Sequence, residues 1–159
     1  MKNRIATTVL ILLMFTSILV FPACRGSSSL SVGLSAEDIV LAIKTDGQWD
    51  VVESNVFQRG DIIGLVMLNV SGFKKGDDGL NWMEIDLQVK GPDGEVVLDE
   101  KELLGEAGHI DMENNTAESP LGSFYTQDDM PTGEYVMKVT LYDKVGKGNI
   151  AHSEKIIIE

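Results

Sequence analysis

Cysteine is nearly absent from this chain: Cys24 is the only one in 159 residues. A lone thiol excludes an internal disulfide and any zinc site built from several cysteines. Positive charge is also scarce, with 13 Lys and Arg against 25 Asp and Glu and a formal net charge of −12. Nucleic-acid binding draws most of its affinity from clustered basic side chains, so this balance argues against it. Aromatic residues make up only 6% of the chain, which leaves Val, Ile, Leu and Met to build the core. There are two histidines, His109 and His152, and neither has a second His or a Cys at metal-ligand spacing. Both are expected at the surface. No Gly-x-Ser-x-Gly elbow and no phosphate-cradling glycine motif occurs. Carboxylate pairs such as Glu84 and Asp86 share a strand face, without a signal for the pocket that would separate their pKa values. The chain is therefore expected to be neither an enzyme nor a cofactor binder. An enzyme would need a pocket joining His109 or His152 to acidic side chains. No metal is expected either. Calcium could find oxygen ligands in the loops holding Asp77 and Asp78, Asp111 and Glu113, or Asp128 and Asp129, but none fits the twelve-residue EF-hand pattern.

What the chain does have is short alternating segments separated by turns. Tyr135, Met137, Val139 and Leu141 fall on one side of residues 133–143, after a Pro131-Thr132-Gly133 turn. This period of two marks a strand with one buried face. Residues 82–90 alternate as cleanly, with Met83, Ile85, Leu87 and Val89 inward and Trp82, Glu84, Asp86, Gln88 and Lys90 outward. The Gly91-Pro92-Asp93-Gly94 turn predicts that residues 95–98 pair back on them. Residues 62–70 are apolar on both faces, as in a covered central strand. Residues 39–44 lead through Asp46-Gly47 into a hairpin with residues 49–53. Residues 121–126 and 151–158 supply further strands, and residues 100–106 one or two helical turns. About seven strands of this kind predict an all-β fold, an antiparallel β-sandwich.

The first segment reads as an address. Lys2 and Arg4 precede an apolar run over residues 9–21, then Pro22-Ala23-Cys24. This is the order of a secretory signal peptide, and its end resembles a bacterial lipobox. The resemblance implies acylation of Cys24, removal of residues 1–23, and a lipid anchor on the periplasmic face or outer membrane of a bacterial cell envelope. Several acyl chains would hold the protein stably, where one binds only marginally. An uncleaved transmembrane anchor and plain secretion are the competing readings. Ser and Gly dominate residues 24–36, which are expected to form a flexible tether, with the folded domain over residues 37–159.

Two motifs carry a further resemblance. Residues 130–139, with Gly133-Glu134-Tyr135, are similar to the turn and penultimate strand of immunoglobulin-like domains, in their fibronectin-type and bacterial envelope relatives. The resemblance implies a tyrosine corner, in which the Tyr135 hydroxyl returns to backbone upstream. Phe57-x-x-Gly60-Asp61 before a long apolar strand also resembles such domains and the BsuPI-type proteinase inhibitors. In that fold the strands at 82–90 and 133–143 are antiparallel neighbours, which places Trp82 near Tyr142. The loops at 72–81 and 144–149 meet at the same end and bring Lys74, Lys75, Lys144 and Lys147. An aromatic pair ringed by lysines on an acidic domain is a candidate partner-binding surface, for an envelope protein or glycan. Proteinase inhibition of the BsuPI type is the alternative.

Overall fold

Alternation in the sequence becomes two facing sheets of mainly antiparallel strands. The computed structural model describes residues 26–159, so Cys24 and the expected signal peptide lie outside the described residues. One sheet runs, in spatial order, β1 (Ser28–Val32), β13 (Asn149–Ile158), β12 (Gly133–Asp143), β7 (Asn81–Lys90) and β8 (Val96–Glu100). Short strands extend it: β4 (Val56–Phe57) lies parallel to β13, and β9 (His109–Ile110) antiparallel to β7. The other sheet runs β11 (Leu121–Tyr125), β5 (Ile62–Leu68), β2 (Asp38–Thr45) and β3 (Gln48–Val52). A separate pair joins β6 (Val70–Ser71) to β10 (Thr116–Ala117). The described residues thus form thirteen strands, four of them only two residues long, and two short 3-10 helices, Gly105–Gly108 and Glu113–Asn115. Among them no helix is long and apolar enough to cross a membrane.

The core lies between the sheets. From β12 it takes Tyr135, Met137, Val139 and Leu141, all at most 1% exposed. From β7 come Ile85, Leu87 and Val89, and from β5 come Ile63, Leu65 and Met67. The central position expected for residues 62–70 holds, because β5 is paired on both sides, to β2 and β11. The sheets close tightly at Gly122. A Cβ there would lie 2.7 Å from Val139 Cγ2, so β11 can approach β12 only without a side chain at that point.

The turns are also where the sequence places them. Asp46 and Gly47 both have positive φ, 51° and 84°, as the two-residue hairpin between β2 and β3 requires. Two expectations change. Residues 62–70 do not form one strand: Asn69 adopts φ 49°, so β5 ends at Leu68 and β6 turns away to pair with β10. The helical turns expected over residues 100–106 reduce to the single 3-10 turn at Gly105–Gly108.

Residues 24–36 are not wholly a tether. Ser28–Val32 form β1, hydrogen-bonded to β13 at the edge of the first sheet. Every residue of β1 is exposed, Leu30 and Val32 included, so it buries no apolar stripe, and its Ser-rich composition alone gives no sign of it.

The tyrosine corner is present. The Tyr135 hydroxyl donates to the Pro131 carbonyl at 2.7 Å, which fixes the chain's approach to β12. Tyr135→Phe keeps the packed ring and loses only this bond. Urea denaturation should show a loss of about 1 kcal/mol in stability, while a change within error would mean that the corner is ornamental.

Candidate functional site

The outward face of β7 and β12 carries the site. Register places Glu84 directly opposite Tyr142 and Asp86 opposite Thr140, so Tyr142 faces one carboxylate of the neighbouring strand and has a second diagonal to it. Glu84 is only 2% exposed, although its strand face points away from the core. The chain after β8 covers it. The Leu104 N–H donates to Glu84 Oε1 at 2.7 Å and the Gly105 N–H to Oε2 at 2.9 Å. A buried carboxylate is tolerable when charge-assisted bonds of this kind replace water. Gly108 seats the same segment: a Cβ there would fall 1.9 Å from the Met83 carbonyl oxygen.

Asp143, at the end of β12, joins the two lysine-bearing loops. Its carboxylate is buried and accepts from the Lys74 N–H at 2.9 Å and the Val145 N–H at 3.0 Å. Asn81 does similar work below, donating to the Lys74 carbonyl and Asn115 Oδ1 and accepting from the Met112 N–H. The expected meeting of the loops at this end therefore rests on buried Asp143, while Asn81 ties the first of them to Met112 and Asn115.

These elements frame a groove of about 440 Å³, lined by Asp86, Lys101, Glu102, Tyr142, Lys144 and Lys147 together with Glu84 and Asp143. The Tyr142 hydroxyl donates to Asp86 Oδ2 at 3.1 Å. Lys101 pairs with Asp99 at 3.0 Å and with Asp86 at 3.6 Å, and Lys144 pairs with Glu102. Lys147 Nζ donates to the Lys144 carbonyl at 2.8 Å. The Lys101 ammonium holds the Asp99 carboxyl below the usual carboxylate range, and Asp99 in turn raises Lys101. Glu102 raises Lys144 likewise. Such a surface offers donors and acceptors on either side of one aromatic ring.

Of the residues predicted for this surface, the groove brings together Tyr142, Lys144 and Lys147. Trp82, Lys74 and Lys75 are not among its lining residues. Trp82 is only half-exposed. His109 stacks on it with ring centroids 4.9 Å apart, Lys144 Nζ lies 5.6 Å from its centroid, and its indole N–H is buried without a partner among the described residues. Lys75 is paired with Asp111, and Lys74 engages through its backbone. Asp86, Lys101 and Glu102 were not anticipated as a group. The outward parity of Asp86 was legible, but the fold-back of residues 101–108 onto β7 was not.

Both histidines differ from expectation. His109 is part-buried, stacked on Trp82 and paired with Asp78 Oδ2 at 2.9 Å. Its Asp78 partner titrates below the ordinary range, chiefly through the Leu80 N–H and then His109. His152 is buried on the inner face of β13, its Nε2 3.2 Å from Glu154 Oε2. The calcium candidates are not assembled. Asp77 and Asp78 lie before β7, while Asp128 and Asp129 lie before β12, at the opposite end of that strand from Asp143. Among the described residues no group of three or more His, Cys, Asp or Glu could hold a metal ion.

No family model matches the chain, and no curated protein matches it by sequence. Among solved structures it is similar to the C-terminal domain of Wzt, at 12% identity over 87% of this chain and 80% of that one, with TM-score 0.50. It is also similar to a Niemann-Pick type C2 protein from Japanese carpenter ant, at 9% identity over 81% and 95%, with TM-score 0.47. A third is the PmoD soluble domain from Methylocystis sp., at 13% identity over 76% and 90%, with TM-score 0.33. At such identities the likeness to the Wzt domain is one of fold alone, an all-β sandwich.

Two measurements check this geometry. Glu84→Gln puts an NH2 against backbone N–H donors, so it should cost about 1–3 kcal/mol and shift Trp82 emission to the red as the cover loosens. An unchanged spectrum and midpoint would show that Glu84 does not hold residues 104–105. Tyr142 titrates above the usual tyrosine range, mainly through burial and then through Asp86, and burial raises Tyr135 too. A folded-state pKa above the unfolded value stabilises the fold fully below the unfolded value, near 10 for tyrosine, and fades as pH rises through the folded one. Denaturation midpoints should therefore fall as pH climbs beyond about 10, and Tyr142→Phe should blunt that fall.

Proposed function

We propose that this chain is a non-catalytic binding module of a bacterial cell envelope, of immunoglobulin-like class, anchored by lipid on Cys24, with the groove over Tyr142 as its partner surface. The partner is another envelope protein. The observation that carries this reading is the alternation of charge around one ring: the Asp86–Lys101 and Glu102–Lys144 pairs line the same groove as Tyr142. A protein partner with its own alternating charges can exchange these exposed pairs for pairs across an interface, while Tyr142 supplies the aromatic anchor that such interfaces favour. Exposed pairs of this kind contribute little to the fold itself, so trading them on binding is inexpensive. The reading as non-catalytic draws on the same pairs, because Lys101 is engaged with Asp86 and Asp99, and Lys144 with Glu102. The envelope address rests on sequence alone: Lys2 and Arg4, the apolar run over residues 9–21, and the lipobox-like Pro22-Ala23-Cys24.

Crosslinking in intact cells followed by mass spectrometry tests the surface. Tyr142→Ala should deplete the captured envelope protein by about tenfold or more, the loss expected of a central anchor worth over 1.4 kcal/mol. Undiminished capture would overturn the reading, as would capture of glycan in place of protein. The anchor is tested separately: palmitate labelling should vanish in a Cys24→Ser variant, and labelling that persists would contradict lipidation at that residue.

A further inference from the structure

A second groove opens on the other edge of the sandwich, between β1, β13 and the start of β2. It has a volume of about 420 Å³ and is lined by Ser29, Ser31, Ser35, Glu37, Ile39 and His152 among others. Register explains its chemistry. Ser29 of β1 lies directly opposite His152 of β13, and Ser31 opposite Ile150; directly opposed residues present their side chains on the same sheet face. The even positions of β13, Ile150, His152, Glu154, Ile156 and Ile158, all point to the buried side. At this edge, however, β1 contributes serines where the rest of the sandwich has aliphatic side chains, so a polar slot replaces the core.

His152 is the informative member. It is 8% exposed and borders the groove, yet its Nδ1 is buried with no hydrogen-bond partner among the described residues. Its Nε2 is 3.2 Å from a Glu154 carboxylate oxygen. A carboxylate only accepts, so Nε2 is the donor of this pair, and in that tautomer Nδ1 presents a lone pair. Buried acceptors without partners are rare because they forfeit the hydrogen bond that water would have given. A ligand hydroxyl brought within reach of Nδ1 would satisfy it.

We infer that this groove is a second binding site, distinct from the one over Tyr142, and that it takes a neutral polyhydroxylated ligand such as a sugar ring. His152 Nδ1 accepts one ligand hydroxyl, and the serine hydroxyls donate and accept around it. Ile39 and Ile150 offer an apolar surface to the C–H face of the ring. Glu37 and Asp38 at the rim repel anions while accepting further hydroxyls, and neither lysine nor arginine is among the groove's lining residues. This chemistry fits a sugar or polyol and opposes phosphate or carboxylate ligands.

The test is a titration of isotope-labelled full chain with glucose, followed by NMR at the His152 ring and at the Ser29 and Ser31 amides. The site predicts saturable shifts at these nuclei in the millimolar range. His152→Phe should abolish them. Should that variant fail to fold, the double variant Ser29→Ala with Ser31→Ala, on a fully exposed strand, should weaken the apparent affinity by about tenfold, the equivalent of one good hydrogen bond. Absence of saturable shifts at His152 overturns the site. An equal response to putrescine that added salt removes also overturns it, since that would mark a cation site. Shifts confined to the Tyr142 and Asp86 amides would overturn this site and leave the proposed partner surface untouched.

Discussion

Strand β12 is the constraint on which the rest depends. It is hydrogen-bonded along both edges, to β13 from Gly133 to Tyr142 and to β7 from Val136 to Asp143. Its inner residues, Tyr135, Met137, Val139 and Leu141, fill the middle of the core. A slip of one residue in either ladder would turn all four outward, so the buried face fixes register strongly. That register then decides what appears outside. Because Leu141 must be in, Tyr142 must be out. Because Tyr142 is opposite Glu84, the ring stands among the outward carboxylates of β7.

The outer surface is built by polar groups that are themselves buried. Glu84 holds residues 104 and 105, Asp143 joins the loops before β7 and after β12, and Asn81 ties in Met112 and Asn115. Each is a carboxylate or amide whose partners are largely backbone groups, an arrangement that compensates desolvation and orders loops lacking regular structure. The exposed lysines and carboxylates around Tyr142 sit on this frame. The proposed protein partner would therefore meet a surface already organised, with little ordering left to offset on binding. The serine-lined groove lies at the opposite edge, reached from β12 across β13, and its chemistry comes from β1 and His152.

Much of the fold was readable because parity is such a direct signal. Alternation over residues 82–90 and 133–143 located both strands of the site, and Gly133-Glu134-Tyr135 located the tyrosine corner. The loops at 72–81 and 144–149 meet as expected. Parity along β13 also carried the burial of His152, since Ile150, Ile156 and Ile158 share its face; polar neighbours concealed that reading. The features that escaped have different physical causes. β1 is held by backbone hydrogen bonds and buries no apolar stripe, so its Ser-rich composition marks it as tether. The split at Asn69 depends on a single left-handed residue within an apolar run. Residues 101–108 fold back through backbone N–H groups on Glu84, which no local pattern in that segment announces. Trp82 lies on the outward face as parity requires, but a long-range stack with His109 decides how much of it solvent sees.

Amide hydrogen exchange tests the central role of β12 most directly. The account predicts that the slowest-exchanging amides lie on β12 from Met137 to Leu141 and on the facing stretches of β7 and β13. The edge strand β1 should exchange far faster, since its opening leaves the core closed. Protection on β12 no greater than that on β1 would contradict the claim that the sandwich and its outer surface are organised around this strand.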